Sequence, residues 1–161
     1  VMYFLADGML GRFARWLRLL GHDVEYLNKA SDDELLEAAL KENRVLLTCD
    51  LALYRLATAR GADAFHVEGK TEAEKLANIA RRFRIALEVD TKVSRCPICN
   101  SPIIRTTKNA VKGKIPRSTL KRYDEFWVCT GCGRCYWHGC HWKKIDEVLT
   151  KANMILKSQK P

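Results

Sequence analysis

Over its first 85 residues the chain alternates short apolar runs with segments whose apolar residues recur at helical spacing. This alternation constrains the fold most, because strands joined by helical crossovers pair in parallel and a parallel sheet needs helices on both faces. MYFLA (2–6) has strand character. In GMLGRFARWLRLLG (8–21), Leu10, Phe13, Ala14, Leu17 and Leu20 share one helical face, Arg12, Arg15 and Arg18 lie near one another on another, and Gly21 is a natural stop. DVEYL (23–27) alternates as a second strand. SDDELLEAALKEN (31–43) opens on Ser31 with Glu34 three residues later, a capping box, and carries Leu35, Leu36, Ala39 and Leu40 on its apolar face. RVLLT (44–48) is a third strand whose unbroken apolar character implies burial on both sides. Residues 51–60 read as a helix, AFHVE (64–68) as a fourth strand and TEAEKLANIARRFRI (71–85) as a fourth helix. The expected fold is α/β, a parallel sheet with right-handed crossovers.

After about Asp90 the pattern changes. Of seven cysteines only Cys49 precedes that point; Cys96, Cys99, Cys129, Cys132, Cys135 and Cys140 follow it. Cys96-Pro-Ile-Cys99 and Cys129-Thr-Gly-Cys132 are two knuckles whose two-residue gaps let each thiolate pair bend toward one ion. Together they make a tetrahedral four-thiolate set suited to a structural Zn²⁺, with no open position for water. Cys135, His138, Cys140 and His141 lie close by and offer a substitute ligand or part of a second site. Cys49 reads as a small buried filler. The expected division is 1–90 for the α/β domain and 91–161 for a zinc ribbon, a basic insertion and a C-terminal helix. That helix carries a stripe of Ile145, Val148, Leu149, Ala152, Ile155 and Leu156.

Charge follows the same division. Residues 1–90 carry 13 basic and 15 acidic side chains, a net of −2, whereas residues 91–161 carry 15 and 4, a net of +11. A basic half of this kind points to a polyanionic partner, with nucleic acid favoured over plain solubility. Lys108, Lys112, Lys114, Arg117, Lys121 and Arg122, between the knuckles, suit a phosphate backbone. Phe126, Trp127, Tyr136, Trp137 and Trp142 are available either to stack unpaired bases or to form the ribbon core. No apolar run approaches the roughly 18 residues of a membrane span, and VMYFLADGML lacks the form of a secretory signal, so a cytoplasmic protein is expected.

Three acids mark the ends of elements. Asp7 follows the first strand, Asp50 follows the third, and Asp32 opens the second helix beside Asp33. Ligands of an open parallel sheet sit beyond the carboxyl ends of its strands, so these acids can converge there. Carboxylates brought together repel unless a cation neutralises them, and hard oxygen ligands suit Mg²⁺ or Mn²⁺. Such an ion activates water against a phosphodiester. Singly, Asp32 and Asp33 also suit a helix dipole, and Asp50 suits an N-cap.

FLADGMLGRFARWLRLLGHDVEYL, SDDELL and RVLLTCDLAL resemble the PIN-like ribonuclease domain of the Mut-seven C-terminal family. RCPICNSPI and RYDEFWVCTGCGRCYWHGCHWKKI resemble the zinc ribbon that follows it in that family. The resemblance implies a PIN-like α/β/α sandwich and a metal-dependent ribonuclease site. It gives Asp7, Asp32 and Asp50 as metal-binding and catalytic acids, and Thr48 as the hydroxyl of a T-x-D motif that orients a carboxylate. Related sites often carry a fourth acid after the next strand, where this chain has Glu68. Arg12 and Arg15, directly after Asp7, suit phosphates flanking a scissile bond as well as a solvated face.

The leading expectation is a metal-dependent endoribonuclease whose basic ribbon docks RNA, in structured or single-stranded regions. The alternative is a non-catalytic RNA-binding or ribosome-associated module. A small-ligand enzyme is disfavoured, because no glycine-rich phosphate loop is present.

Overall fold

The computed structural model describes residues 1–159. Four parallel strands, β1 (Tyr3–Ala6), β2 (Asp23–Tyr26), β3 (Val45–Thr48) and β4 (Ala64–His66), form a sheet in the order β2-β1-β3-β4. Between them run α1 (Gly11–Leu19), α2 (Asp32–Glu42) and α3 (Leu51–Ala59), and α4 (Glu72–Phe83) follows β4. The register pairs Ala6 with Tyr26 and Leu47, and Thr48 with His66, so β1 and β3 end side by side.

The two-residue period of the strands divides the core. Phe4, Ala6, Val45 and Leu47 enter one apolar cluster with Leu17, Leu76 and Ile79, while Leu5 and Leu46 enter the other with Leu35, Leu36 and Leu53. Every residue of β3 is buried, as its unbroken apolar run implied. Each such Leu or Phe contributes about 1.5–3 kcal/mol on burial, which fixes the sheet's register against slippage.

The helices end where their sequences say they should. The Ser31 hydroxyl accepts from Glu34 N at 3.2 Å at the start of α2, and Asn43 closes it in the left-handed region at φ 53°. Gly21, at φ 98°, follows α1, and a Cβ there would stand 2.8 Å from Val93 Cγ2. Conformation and close approach both demand glycine.

The second part is a small antiparallel sheet, β5 (Ile103–Thr106), β6 (Phe126–Cys129) and β7 (Cys135–Tyr136), in the order β5-β6-β7. The basic segment between β5 and β6 contains α5 (Lys108–Val111) and α6 (Arg117–Arg122). The last helix, α7 (His141–Ser158), returns to the first part. Its Leu149 and Ala152 are buried in the same cluster as Phe4, and its stripe packs chiefly on α4.

A polar seam holds the ribbon against edge strand β2. Arg18, grouped by spacing with Arg12 and Arg15, instead turns inward and is 7 % exposed. Its Nε and Nη2 donate to Val24 O at 2.9 and 2.7 Å, and its Nη1 donates to Pro97 O at 2.9 Å. Asn100 Oδ1 accepts from Val24 N at 2.9 Å, and its Nδ2 donates to Asp23 Oδ1 at 2.9 Å. Asp23 also meets Arg44 at 2.8 Å and Arg95 at 3.3 Å. Burial alone would raise the Asp23 carboxyl, but hydrogen bonds from Asn100 and Arg44 and the charges of Arg44 and Arg95 hold it below its usual range.

Candidate active site and metal centre

Asp7 stands one residue beyond β1 and is 6 % exposed. Its backbone N–H continues the ladder to Leu47 O at 3.1 Å. Asp7 Oδ1 accepts from Met9 N at 3.0 Å, capping a short 3₁₀ turn (Gly8–Leu10) that leads into α1. Asp7 Oδ2 accepts from Thr48 Oγ1 at 2.5 Å, and the same hydroxyl oxygen accepts from Asp50 N at 3.0 Å. Thr48 is fully buried at the end of β3. One hydroxyl therefore orients the Asp7 carboxylate and ties it to the backbone that carries Asp50.

Asp50 is exposed and caps α3. Its Oδ1 accepts from Ala52 N at 2.9 Å and from Leu53 N at 3.3 Å. The N-cap role allowed by the sequence is thus filled by one carboxylate oxygen, and no hydrogen bond engages Oδ2 among the described residues. Asp32 is exposed in the first turn of α2, on the loop side of β2. Among the described residues no hydrogen bond or ion pair joins Asp32 to Asp7 or Asp50, and these three acids do not gather to the 4.8 Å spacing that the cysteines reach. The loops that carry them are nevertheless pressed together. A Cβ on Gly8 would stand 2.5 Å from Asn28 O, and Tyr26 Oη donates to Gly8 O at 2.7 Å. Only glycine lets the turn after Asp7 lie flush on the β2–α2 loop. Asp33 points elsewhere, 3.7 Å from Arg60.

One acid escaped the sequence reading. Glu72, the first residue of α4, has a buried Oε2 without a hydrogen-bond partner among the described residues, and its Oε1 lies 3.7 Å from Lys75. Burial raises the Cys49 thiol, Asp7 and Glu72 push it further up, and Lys75 opposes them, so both acids lie within electrostatic reach of Cys49. Cys49 accordingly stays a protonated filler. Glu68, the acid noted after β4, is exposed and lies 3.1 Å from His66 Nδ1, whose Nε2 lies 3.0 Å from Cys49 O. Glu72 opens a helix beyond a strand as Asp32 does, and that position was its only signal.

The second site is compact. Cys96, Cys99, Cys129 and Cys132 offer Sγ atoms all within 4.8 Å of one another, with Cys96 and Cys132 at 3.8 Å and Cys99 and Cys129 at 3.3 Å. A tetrahedral zinc with Zn–S near 2.3 Å requires sulfur separations of about 3.8 Å, so the donor set fits the ion. Gly131 N and Cys132 N each donate to Cys129 Sγ at 3.3 Å, and Tyr136 Oη lies 2.9 Å from Cys96 Sγ. Hydrogen bonds from Ser101 lower the Cys99 thiol to about 6, while burial pushes Cys129 up to about 11. Cys135, His138, Cys140 and His141 do not join this group. His138 is instead stacked between two indoles, 4.9 Å from Trp127 and 4.1 Å from Trp142 between ring centroids.

The cations expected to meet phosphate divide. Lys112, Lys114, Arg117, Lys121 and Arg122 are exposed, and Arg122 lies over the Tyr123 ring. Lys108 is partly neutralised by Asp124 at 3.4 Å. Arg12 and Arg15 are exposed on the wall of a cleft of about 700 Å³ between α1, the ribbon and the start of α7. Phe126 and Trp127 are core, whereas Tyr136, Trp137 and Trp142 are half-buried on the cleft. Among the described residues no helix is long and apolar enough to cross a membrane.

Compared with known families, residues 2–149 match the model of the Mut7-C RNAse domain. No curated protein and no solved structure matches the chain.

Proposed function

The chain belongs to the Mut7-C RNAse domain family, and from that premise we propose that it is a divalent-metal-dependent endoribonuclease that hydrolyses RNA phosphodiester bonds. The observation that carries the reading is the Thr48 hydroxyl between the Asp7 carboxylate and Asp50 N, at the carboxyl ends of two neighbouring parallel strands. The two bonds satisfy the buried hydroxyl and hold one carboxylate in a set orientation beside the backbone of the next, as a preorganised ligand set requires.

Asp7, Asp50 and Asp32 would hold Mg²⁺ or Mn²⁺, and the unpartnered Glu72 Oε2 adds a fourth hard donor. When bound, the ion supplies Lewis acidity toward a phosphate oxygen and lowers the pKa of a coordinated water. Asp7 is held in one orientation by its two donors, Met9 N and Thr48 Oγ1. Asp50 keeps one oxygen on the α3 amides and offers the other to the rim. Arg12 and Arg15 grip phosphates flanking the scissile bond, and Lys112, Lys114, Arg117, Lys121 and Arg122 hold RNA on the ribbon through its backbone. Zn²⁺ on the four cysteines keeps the ribbon folded. A chain whose cysteines gather as a metal-binding thiol set rather than as disulfides suits a reducing, cytoplasmic setting.

A second reading, a non-catalytic RNA-binding or ribosome-associated module, is favoured by the fact that Asp7, Asp32 and Asp50 do not gather within 4.8 Å of one another. The two separate on incubation with mixed structured and single-stranded RNA and Mn²⁺, beside Asp7→Asn and Asp50→Asn. Cleavage by the parent that both variants lose supports the enzyme. Binding without cleavage in all three supports the module.

A further inference from the structure

The cleft between α1 and the ribbon joins arginine charge to stacked aromatic rings. Among the described residues its lining includes Arg12, Arg15, Arg95 and Arg122 and not one carboxylate, in a chain with 19 acidic residues. Its floor and far wall are aromatic, and there His138 already lies between Trp127 and Trp142 with interplanar angles of 22° and 18°. A planar, nitrogen-bearing ring sandwiched at 4.1–4.9 Å is the contact a nucleobase makes on an indole.

We propose that this cleft seats an unpaired stretch of RNA, with bases stacked on Trp142 and the neighbouring rings and phosphates neutralised by Arg12, Arg15 and Arg122. The proposal rests on RNA being the substrate and adds its class: single-stranded rather than duplex. Charge complementarity names the polymer, since a carboxylate-free wall of arginines attracts a polyanion. The rings name the strandedness, because the bases of a duplex are stacked on each other and cannot enter. At about 700 Å³ the cleft is of ligand-pocket size, too confined for a helix of RNA. Arg12 stands at the N-terminal end of α1, a few residues after Asp7, so a strand leaving the cleft along α1 runs toward the acids.

The test is binding of a fluorescein-labelled single-stranded oligouridine and of a duplex of equal length, without added Mg²⁺ or Mn²⁺, so that binding is read apart from cleavage. The parent is expected to prefer the single strand and to show quenched tryptophan emission on binding it. Trp142→Ala should weaken single-strand binding about tenfold or more and leave duplex binding within about twofold. Arg15→Glu/Arg122→Glu, at exposed positions that do not threaten the fold, should flatten the salt dependence of single-strand binding by about 1.4 in slope. Lys112→Glu/Lys114→Glu should weaken both RNAs alike. Equal parental affinity for single strand and duplex, absence of quenching, or single-strand binding untouched by Arg15→Glu/Arg122→Glu would overturn the proposal. Cleavage that survives while single-strand preference is absent sinks the cleft and not the nuclease; the reverse result sinks the nuclease alone.

Discussion

Arg18 on α1 donates to the carbonyl of Pro97 in the first zinc knuckle at 2.9 Å, across 79 residues of chain. The same guanidinium holds Val24 O, so one buried cation rivets the ribbon to the edge of the parallel sheet. Arg18→Ala leaves these carbonyls without donors and should cost about 2–4 kcal/mol. Arg18→Lys, with a single ammonium in place of a planar fork, should recover only part of it. Thermal unfolding of the three proteins at equal zinc content checks this.

Purified protein should carry one tightly held zinc per chain, on Cys96, Cys99, Cys129 and Cys132. Acid or a strong chelator should release it, and β5–β7 should lose protection from hydrogen exchange before the parallel sheet does. Cys129→Ser should have the same effect, whereas Cys140→Ser should leave zinc stoichiometry unchanged. Metal analysis with exchange mass spectrometry measures both.

His22 makes stability depend on pH. Burial lowers its pKa to about 4 from 6.5, and its Nδ1 accepts from Met2 N at 3.1 Å. Between these values the unfolded chain binds the extra proton, so the contribution is complete above pH 6.5 and is lost as pH falls toward 4. After allowance for solvent screening it amounts to about 1–2 kcal/mol. Denaturant unfolding at several pH values should show that slope, and His22→Gln should flatten it.

Glu72→Gln distinguishes a metal-supporting acid from a structural one. Its Oε2 has no partner to lose, so stability should stay within about 1 kcal/mol of the parent or rise. Mn²⁺-dependent cleavage should fall about 10- to 100-fold and require more Mn²⁺. Activity against Mn²⁺ concentration, read beside a melting curve, gives both quantities.

Much of this molecule is legible along the chain because its signals are local. Val45–Thr48 reads as a doubly buried strand from its own side chains, and the knuckle cysteines announce a metal-sized cluster by their spacing. Asp7 and Asp50 are legible because strand ends in a parallel sheet share an edge. Arg18 was not, because helical spacing puts it with Arg12 and Arg15 and only its tertiary partners, Val24 O and the docked knuckle, draw it inward. Glu72 was hidden for a related reason: a carboxylate in a first helical turn looks like dipole compensation until the tertiary fold buries it. The cleft has residues contributed by α1, the ribbon and α7, so no single stretch of sequence announces it.

The most direct measurement is Mn²⁺ binding by zinc-loaded protein, followed by electron paramagnetic resonance, in the parent and in Asp7→Asn and Asp50→Asn. The account predicts that the parent immobilises Mn²⁺ and that each substitution weakens this at least about tenfold with zinc content and melting temperature retained. Mn²⁺ bound equally well by all three proteins, or by none of them, would contradict it.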